Sequence, residues 1–375
     1  MKPGHETGPG GLEPALPKEM YVDPDTFRRE RERVLYAEWF CVGRYDDLGL
    51  TEPRRVAVVD VVGESVVITS DDHGGLHATY NVCRHRGSQL FPVEPGAATV
   101  CDAAGAIRCP YHSWTYGLDG LLLKAPHTVL TDQEREAFTL HPVGIEVSEG
   151  YVFVHLSPAS AGPLQESVSA QFGRLANYAM GELVTGQVLV YDVAANYKVV
   201  AENYNECYHC APVHPELTRL VPTFGSGGRA IDWESGVPHR EGAWTFTMSG
   251  TTDRAPLPRL DEAERTRHKG ELVHPNLMIS CSADHVAAFV LLPQDVDRTR
   301  IECRLLFHPT AVADPGFDPS DAGDFWDLVN RQDWAICESV QRGMSSRAYR
   351  HGWFADMEDD SADIRRWLLP RLADD

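Results

Sequence analysis

Asn81 to Gln89 reads NVCRHRGSQ and Arg108 to Gly117 reads RCPYHSWTYG, which set Cys83-x-His85 and Cys109-x-x-His112 on two short loops. Two thiolates and two imidazoles brought together in this way hold one of two things. One is a single tetrahedral zinc; the other is a two-iron two-sulfur cluster with thiolates on one iron and neutral imidazoles on its partner. Exchanging two thiolates for imidazoles removes negative charge and raises the reduction potential, so such a cluster accepts electrons from a low-potential donor. It relays electrons and does not itself activate oxygen.

Farther along, Glu202 to Leu217 reads ENYNECYHCAPVHPEL and places Glu206, His209 and His214 in one stretch. Residues five apart on an unbroken helix point about 140° apart, so His209 and His214 converge only if the helix breaks. Pro212 is the expected break. Two histidines and one carboxylate with open positions form the facial triad that binds Fe(II) beside oxygen; the alternative is a pair of hydrogen-bonded core histidines. Cys207 and Cys210 form a C-x-x-C but lack a second thiol pair, and we read them as packing residues rather than a redox dithiol.

The missing carboxylate is sought in Phe325 to Arg342, FWDLVNRQDWAICESVQR. On a helix Trp326, Val329, Ile336, Cys337 and Val340 all fall within about 60° of Asp333, while Asp327 and Glu338 point roughly 120° to 140° away. A carboxylate buried on that apolar face is costly unless paired or metal-bound. Asp333 is therefore the expected third ligand, with an Arg-paired or backbone-capping aspartate as the alternative.

Elements must carry these groups. Asp23 to Trp39 predicts a helix with Asp23 or Asp25 as N-cap and Phe27, Val34 and Leu35 on one side. Arg55 to Tyr80 changes to short β-branched runs separated by turns at Val62-Gly63 and Asp71 to Gly75, which predicts a small antiparallel β domain. Gly144 to Leu156 reads as its last hairpin and Ser157 to Pro163 as a boundary. Beyond lie an expected helix over Gln165 to Met180 and a strand-like run over Gly186 to Val200. Further strands are expected at Ala243 to Met248, Leu277 to Cys281, His285 to Leu292 and Arg300 to Phe307, and a closing helix over Asp324 to Gly343. The fold class is α+β: a loose tail over 1–16, a helical segment over 17–42 packing on the second domain, the first metal domain over 43–160 and the second over 161–375.

Bulk composition narrows the partners. With 375 residues, 43% of them apolar, the chain can build two cores, and its formal charge of −21 repels phosphate backbones and anionic membranes. Neither nucleic acid nor membrane is an expected partner. No window is long and apolar enough to span a bilayer, and Met1 to Pro17 lacks a signal peptide's apolar core, so a cytoplasmic protein is expected. Nine cysteines without a secretory signal point to reduced thiols and metal ligands.

From about Leu16 to Ser346 the chain resembles the catalytic alpha subunit of the Rieske non-haem iron oxygenases. The resemblance rests on Cys83-Arg84-His85-Arg86-Gly87, on Cys109-Pro110-Tyr111-His112-x-Trp114, and on Asp333-x-x-x-x-Glu338-x-x-Gln341-Arg342-Gly343. Ser113 stands where glycine is usual, and the interval from His85 to Cys109 is longer than usual; Cys101 inside it reads as a bystander thiol. The resemblance implies a Rieske [2Fe-2S] domain with Cys83, His85, Cys109 and His112 as ligands. It further implies a helix-grip catalytic domain with Fe(II) on His209, His214 and Asp333, assembled in a ring-like homotrimer. Glu206 becomes the electron bridge between subunits, hydrogen-bonded to His209 and to the cluster histidine His112 across the interface. NADH-derived electrons would arrive through a separate flavin or iron-sulfur reductase, with or without a ferredoxin, and O2 would be the co-substrate.

The ENYxECYHC form with Glu206 is closer to the branch acting on choline, betaine and carnitine than to dioxygenases with aspartate there. Tyr204, Tyr208, Phe224, Trp233, Trp244 and Phe246 are candidates for an aromatic cage around a trimethylammonium group, or else core residues. The preferred expectation is hydroxylation or oxidative N-demethylation of a quaternary amine or amino-acid-like compound. Ring hydroxylation of an aromatic substrate is the alternative, and a non-catalytic Rieske electron carrier is the reading from a different class. A pure carrier needs only the β domain, which leaves the second metal constellation without a purpose.

Overall fold

The computed structural model describes residues 11–92, 98–102, 105–228 and 231–373. Two compact units emerge, Leu35–Ser167 and Met1–Val34 joined with Val168–Asp375. The sheets are antiparallel throughout, as an α+β chain of this pattern requires.

In the first unit seven strands run in the order Phe40–Arg44, Tyr151–His155, Pro142–Ser148, Leu76–Tyr80, Glu64–Ser70, Arg55–Val61 and Thr99–Asp102. The hairpin joining Arg55–Val61 to Glu64–Ser70 turns through Val62 and Gly63, both at positive φ (52° and 93°). That pair matches the twist of a two-residue hairpin, and the valine is the strained member. Asp71 closes the next turn by accepting from the amides of His73 and Gly75, each at 2.8 Å. A smaller sheet of Ile107–Arg108, Thr115–Tyr116 and Leu122–Lys124 carries the second Cys/His loop. Val56, Val58, Val67, Leu90, Ile107 and Tyr116 enclose Cys83 and Cys109 in one apolar core.

In the second unit the sheet order is Val184–Val193, Arg298–Phe307, His285–Asp295, Leu277–Cys281, Arg267–Val273 and Val237–Pro238. The helix Ser320–Met344 lies against it, with Trp326 meeting Phe289 (ring centroids 5.7 Å) and Phe325 stacking on Phe246 (5.5 Å). Several sequence expectations shift here. The strand expected to reach Val200 stops at Val193, because Asn196 caps a new helix, Tyr197–Tyr204, by accepting from the Lys198 amide at 3.0 Å. Ala243 to Met248 is a tight loop rather than a strand: the Trp244 amide donates to Gly250 O (2.8 Å) and the Gly250 amide to Thr247 O (3.1 Å).

The long helix also departs from its apolar stripe. Ile336 and Val340 are exposed, whereas Asn330 and Gln341 are buried. Gln341 accepts from the Asn196 amide and donates to Tyr21 O, and Asn330 donates to Tyr191 Oη. Satisfied amides can be buried as cheaply as aliphatics, so the covered face drifts away from the one hydrophobicity alone picks out.

At the N-terminal side, residues 1–10 of the expected tail lie outside the described set, and Glu13–Pro17 pairs with His351–Phe354 instead of being loose. The expected helix to Trp39 is shorter: Pro24–Glu30, capped by Asp23 on the Thr26 amide (2.9 Å), then a π-helical turn over Arg31–Leu35. Its last residue, Glu30, is fully buried against the Lys198 ammonium (2.7 Å) and the Tyr197 hydroxyl. Burial pushes the Lys198 pKa down against the pull of Glu30. Lys198→Met is expected to lower stability by about 3–5 kcal/mol, since it strands Glu30, whereas Glu30→Leu with Lys198→Met recovers most of the loss. Urea unfolding midpoints check this, and a single-variant loss below about 1 kcal/mol would contradict it. Among the described residues no helix is long and apolar enough to cross a membrane.

Candidate functional site

The first constellation is built from two tight loops. Cys83 accepts the Gly87 amide on its carbonyl (3.0 Å) and donates its own amide to Ser88 O (2.9 Å), and Gly87 takes φ 73°. Cys109 is closed the same way by the Ser113 amide (3.1 Å) and Trp114 O (2.8 Å). Ser113 sits at φ 60°, which is why glycine suits this position; its hydroxyl accepts from the Arg108 guanidinium at 2.8 Å.

Both sulfurs are buried, while His85 is exposed and His112 partly so. The two imidazoles lie 4.7 Å apart, centroid to centroid, and His85 stacks flat on Trp114 at 4.9 Å. Tyr116 Oη accepts the Arg84 amide and lies against Cys83 Sγ, each contact at 3.2 Å. Burial raises the Cys109 thiol pKa, but the backbone amides of Tyr111 and His112, joined by hydrogen bonds with Cys83 and Ser88, together bring the value down. Burial, with His85 and Arg86 nearby, keeps His112 neutral more readily than a free histidine. Its Nδ1 is buried with no hydrogen-bond partner among the described residues. An orphaned ring nitrogen beside two thiols fits a metal cluster. Cys101 lies on a strand paired to Val56, against the outside of the same core.

The second constellation assembles on three segments of the other unit. After the helix Tyr197–Tyr204 the chain turns through residues 205–209, makes the short helix Cys210–Val213, and restarts at Pro215–Leu220. The break expected at Pro212 falls at His214 instead (φ −121°, ψ 71°). Pro212 sits in the first turn, where no amide is needed, whereas Pro215 excludes its predecessor from helical geometry.

His209 Nε2 and His214 Nε2 approach Asp333 Oδ1 at 3.3 and 2.9 Å, and the three ligand-capable atoms lie within 4.8 Å of one another. Outside this ring, Glu206 hydrogen-bonds His209 Nδ1. Gln332 Oε1 meets His214 Nδ1 at 2.8 Å, with its own amide nitrogen on Glu216 (3.1 Å). These partners hold the Nδ1 side of each ring and turn both Nε2 atoms toward the Asp333 carboxylate. Burial opposes charge on Asp333, yet hydrogen bonds from His209 and His214 hold its pKa well below the usual range. His209 is likewise pulled up to about 11: burial works against it, and Asp333 and Glu206 prevail. Two Nε2 atoms and one carboxylate oxygen converge here, a donor set that fits a 2-His-1-carboxylate metal. Asn203 donates to Asp333 Oδ1 at 2.7 Å. Cys207 and Cys210 are buried nearby, with their thiol pKa values raised.

A cavity of about 400 Å³ opens onto these residues. Of the six candidate aromatics, Tyr204, Phe224, Trp233 and Phe246 line it; Tyr208 lies in the exposed turn and Trp244 in the tight loop, and neither lines it. Trp326 adds a further wall, its indole N–H donated to His285 Nε2 at 2.9 Å, and His285 Nδ1 meets Asp284 at 2.9 Å. Trp233 hydrogen-bonds Asp360, and burial, ahead of the neighbouring Asp363 and Asp359, raises the Asp360 pKa. Among the described residues Arg174 is the one arginine or lysine lining the cavity, and Glu271 grips its guanidinium (2.7 Å). Gln332, Asn203, Asp360, Trp326 and His268 were not legible as site residues, because their partners come from distant segments; Asn203 and Gln332 border the motifs and carry the nearest signal.

Residues 180–374 match the family described as the ring-hydroxylating alpha subunit, catalytic domain, and residues 38–133 match the Rieske [2Fe-2S] domain. The glycine betaine monooxygenase oxygenase subunit of Chromohalobacter salexigens is 29% identical over 90% of this chain and 81% of that protein. The carnitine monooxygenase oxygenase subunit of Acinetobacter baumannii is 28% identical over 89% of this chain and 86% of its own. Among solved structures, the quaternary ammonium Rieske monooxygenase CntA in complex with gamma-butyrobetaine shares the fold, with a TM-score of 0.74 over 96% of both chains at 24% identity.

Proposed function

Since the chain belongs to the ring-hydroxylating alpha-subunit family of Rieske non-haem iron oxygenases, we propose that it hydroxylates a quaternary ammonium compound on an N-methyl group or the adjoining carbon chain. One observation carries the choice of substrate: the cavity beside His209, His214 and Asp333 is walled by Phe224 and Trp233 with Glu234 and Asp360, and its lone arginine is already paired. Aromatic faces and carboxylates attract a permanent cation that cannot donate hydrogen bonds. A neutral arene would gain nothing from the acidic wall. The named activities of the glycine betaine and carnitine relatives support the same reading.

In this reading Cys83, His85, Cys109 and His112 hold the [2Fe-2S] cluster, and His209, His214 and Asp333 hold Fe(II). When bound, the cluster would supply electrons singly and the mononuclear iron would supply the oxygen-activating chemistry. The chain's own residues orient and exclude. Glu206 and Gln332 fix the two imidazole rings through Nδ1, Asn203 steadies the Asp333 carboxylate, and the His285–Asp284 pair holds the Trp326 wall. A separate reductase supplies NADH-derived electrons in the cytoplasm. Glu206 also bridges to the partner subunit's His112 within a homotrimer.

The reaction balances as N-methyl, O2, NADH and a proton giving N-hydroxymethyl, water and NAD+. A hydroxymethyl on a quaternary nitrogen then separates into tertiary amine, formaldehyde and a proton. With a surrogate reductase and NADH, a panel of trimethylammonium compounds is expected to drive oxygen uptake, with formaldehyde released one-for-one when the N-methyl is the target. Diol formation from an arene, with no response to any ammonium compound, would overturn the reading.

A further inference from the structure

His268 lies on the strand Arg267–Val273, is 6% exposed, and lines the cavity. Phe246, Phe224 and Trp233 surround its ring at centroid distances of 4.8, 6.0 and 6.2 Å. Its Nδ1 lies 3.2 Å from Cys281 O. A carbonyl only accepts, so Nδ1 carries the proton and Nε2 presents a bare lone pair. Burial, with His239 next to it, brings the pKa to about 3, and the ring stays neutral at any working pH. Among the described residues Nε2 has no hydrogen-bond partner.

Tyr204 is in a parallel position. Its hydroxyl donates to Ile279 O at 2.6 Å and accepts from Ser280 Oγ at 3.1 Å, so toward the cavity it too offers only an acceptor. Gly270 separates the two. A Cβ placed on it would stand 3.2 Å from Tyr204 Oη and 3.5 Å from His268 Nε2. The absent side chain leaves a small recess flanked by two acceptors, both with their protons committed to carbonyls of the strand Leu277–Cys281.

We propose that His268 Nε2 and Tyr204 Oη form an acceptor recess over Gly270 that selects ammonium substrates carrying a hydroxyl on the carbon chain. The inference rests on the cation reading above and adds what distinguishes one cation from another. A trimethylammonium head has no donor to place there, so the recess recognises a different part of the molecule. A substrate with methyl in place of hydroxyl leaves a buried acceptor unpaired and pushes out any water that could satisfy it. His268 is a specificity-determining residue, not a member of the metal sites.

The test compares choline with propyltrimethylammonium, which replaces the hydroxyl by a methyl, in oxygen uptake by the full chain with reductase and NADH. The unsubstituted protein is expected to favour choline in kcat/KM by at least about tenfold, the scale of one hydrogen bond. His268→Leu brings the ratio to about one through a raised KM for choline, and His268→Gln, which restores an acceptor, recovers part of it. Gly270→Ala fills the recess and gives the same collapse, and it serves if His268→Leu does not fold. A ratio near one in the unsubstituted protein, or a ratio unmoved by His268→Leu and Gly270→Ala, overturns the recess and leaves the cation reading intact. A chain that responds to no trimethylammonium compound of the panel overturns the cation reading and the recess with it.

Discussion

Anaerobically purified Asp333→Ala protein is expected to carry about two irons per chain in place of about three, with the visible spectrum of its cluster unchanged. Substrate-driven oxygen uptake should fall by about a thousandfold or more. The cause is electrostatic. His209 and His214 turn their Nε2 atoms toward the Asp333 carboxylate, and removing that charge leaves two imidazoles, too few to retain a divalent ion against water. His209→Ala and His214→Ala should behave alike. Iron analysis beside cluster absorbance separates loss of the lone ion from general misfolding. Retention of three irons with full turnover in all three variants would mean that the ion is held elsewhere.

Glu206→Gln should give a different phenotype, with iron content kept and turnover down by roughly 10–100-fold. Glutamine still accepts from His209 Nδ1, so the ring keeps its orientation, but the charge that makes His209 a stronger donor is gone, together with the proposed bridge to the partner subunit's His112. Stopped-flow absorbance is the informative measurement. The cluster should be reduced by the reductase at its normal rate, and its reoxidation in the presence of substrate and oxygen should slow. Unslowed reoxidation would remove Glu206 from the electron path and leave it as an ordinary partner of His209.

The parts of the molecule that were legible beforehand are those whose logic is local. The two Cys/His loops close on themselves, through Gly87 and Ser113 at positive φ, so short motifs were enough to pair them. Asp333 could be told from Asp327 and Glu338 because helical angles are fixed by geometry. The same arithmetic misplaced Ile336 and Val340, since it had no knowledge of Gln341 and Asn330 finding buried partners on other segments. The helix break was assigned to the wrong proline for a related reason: position within the turn, not the presence of proline, decides whether an amide is missed. The Glu30–Lys198 pair, the Gln332 contact to His214 and the His268 recess each join residues far apart in the chain. A polar residue's role there depends on which distant group it meets, and no periodicity encodes that.

His214 and Asp333 meet across 119 positions of sequence, and the strands Arg267–Val273 through Arg298–Phe307 lie between them. During synthesis the histidine pair therefore leaves the ribosome well before its carboxylate, and contacts of such long range form late. The carboxylate that completes the triad thus arrives only after the four strands from Arg267 to Phe307 have been made.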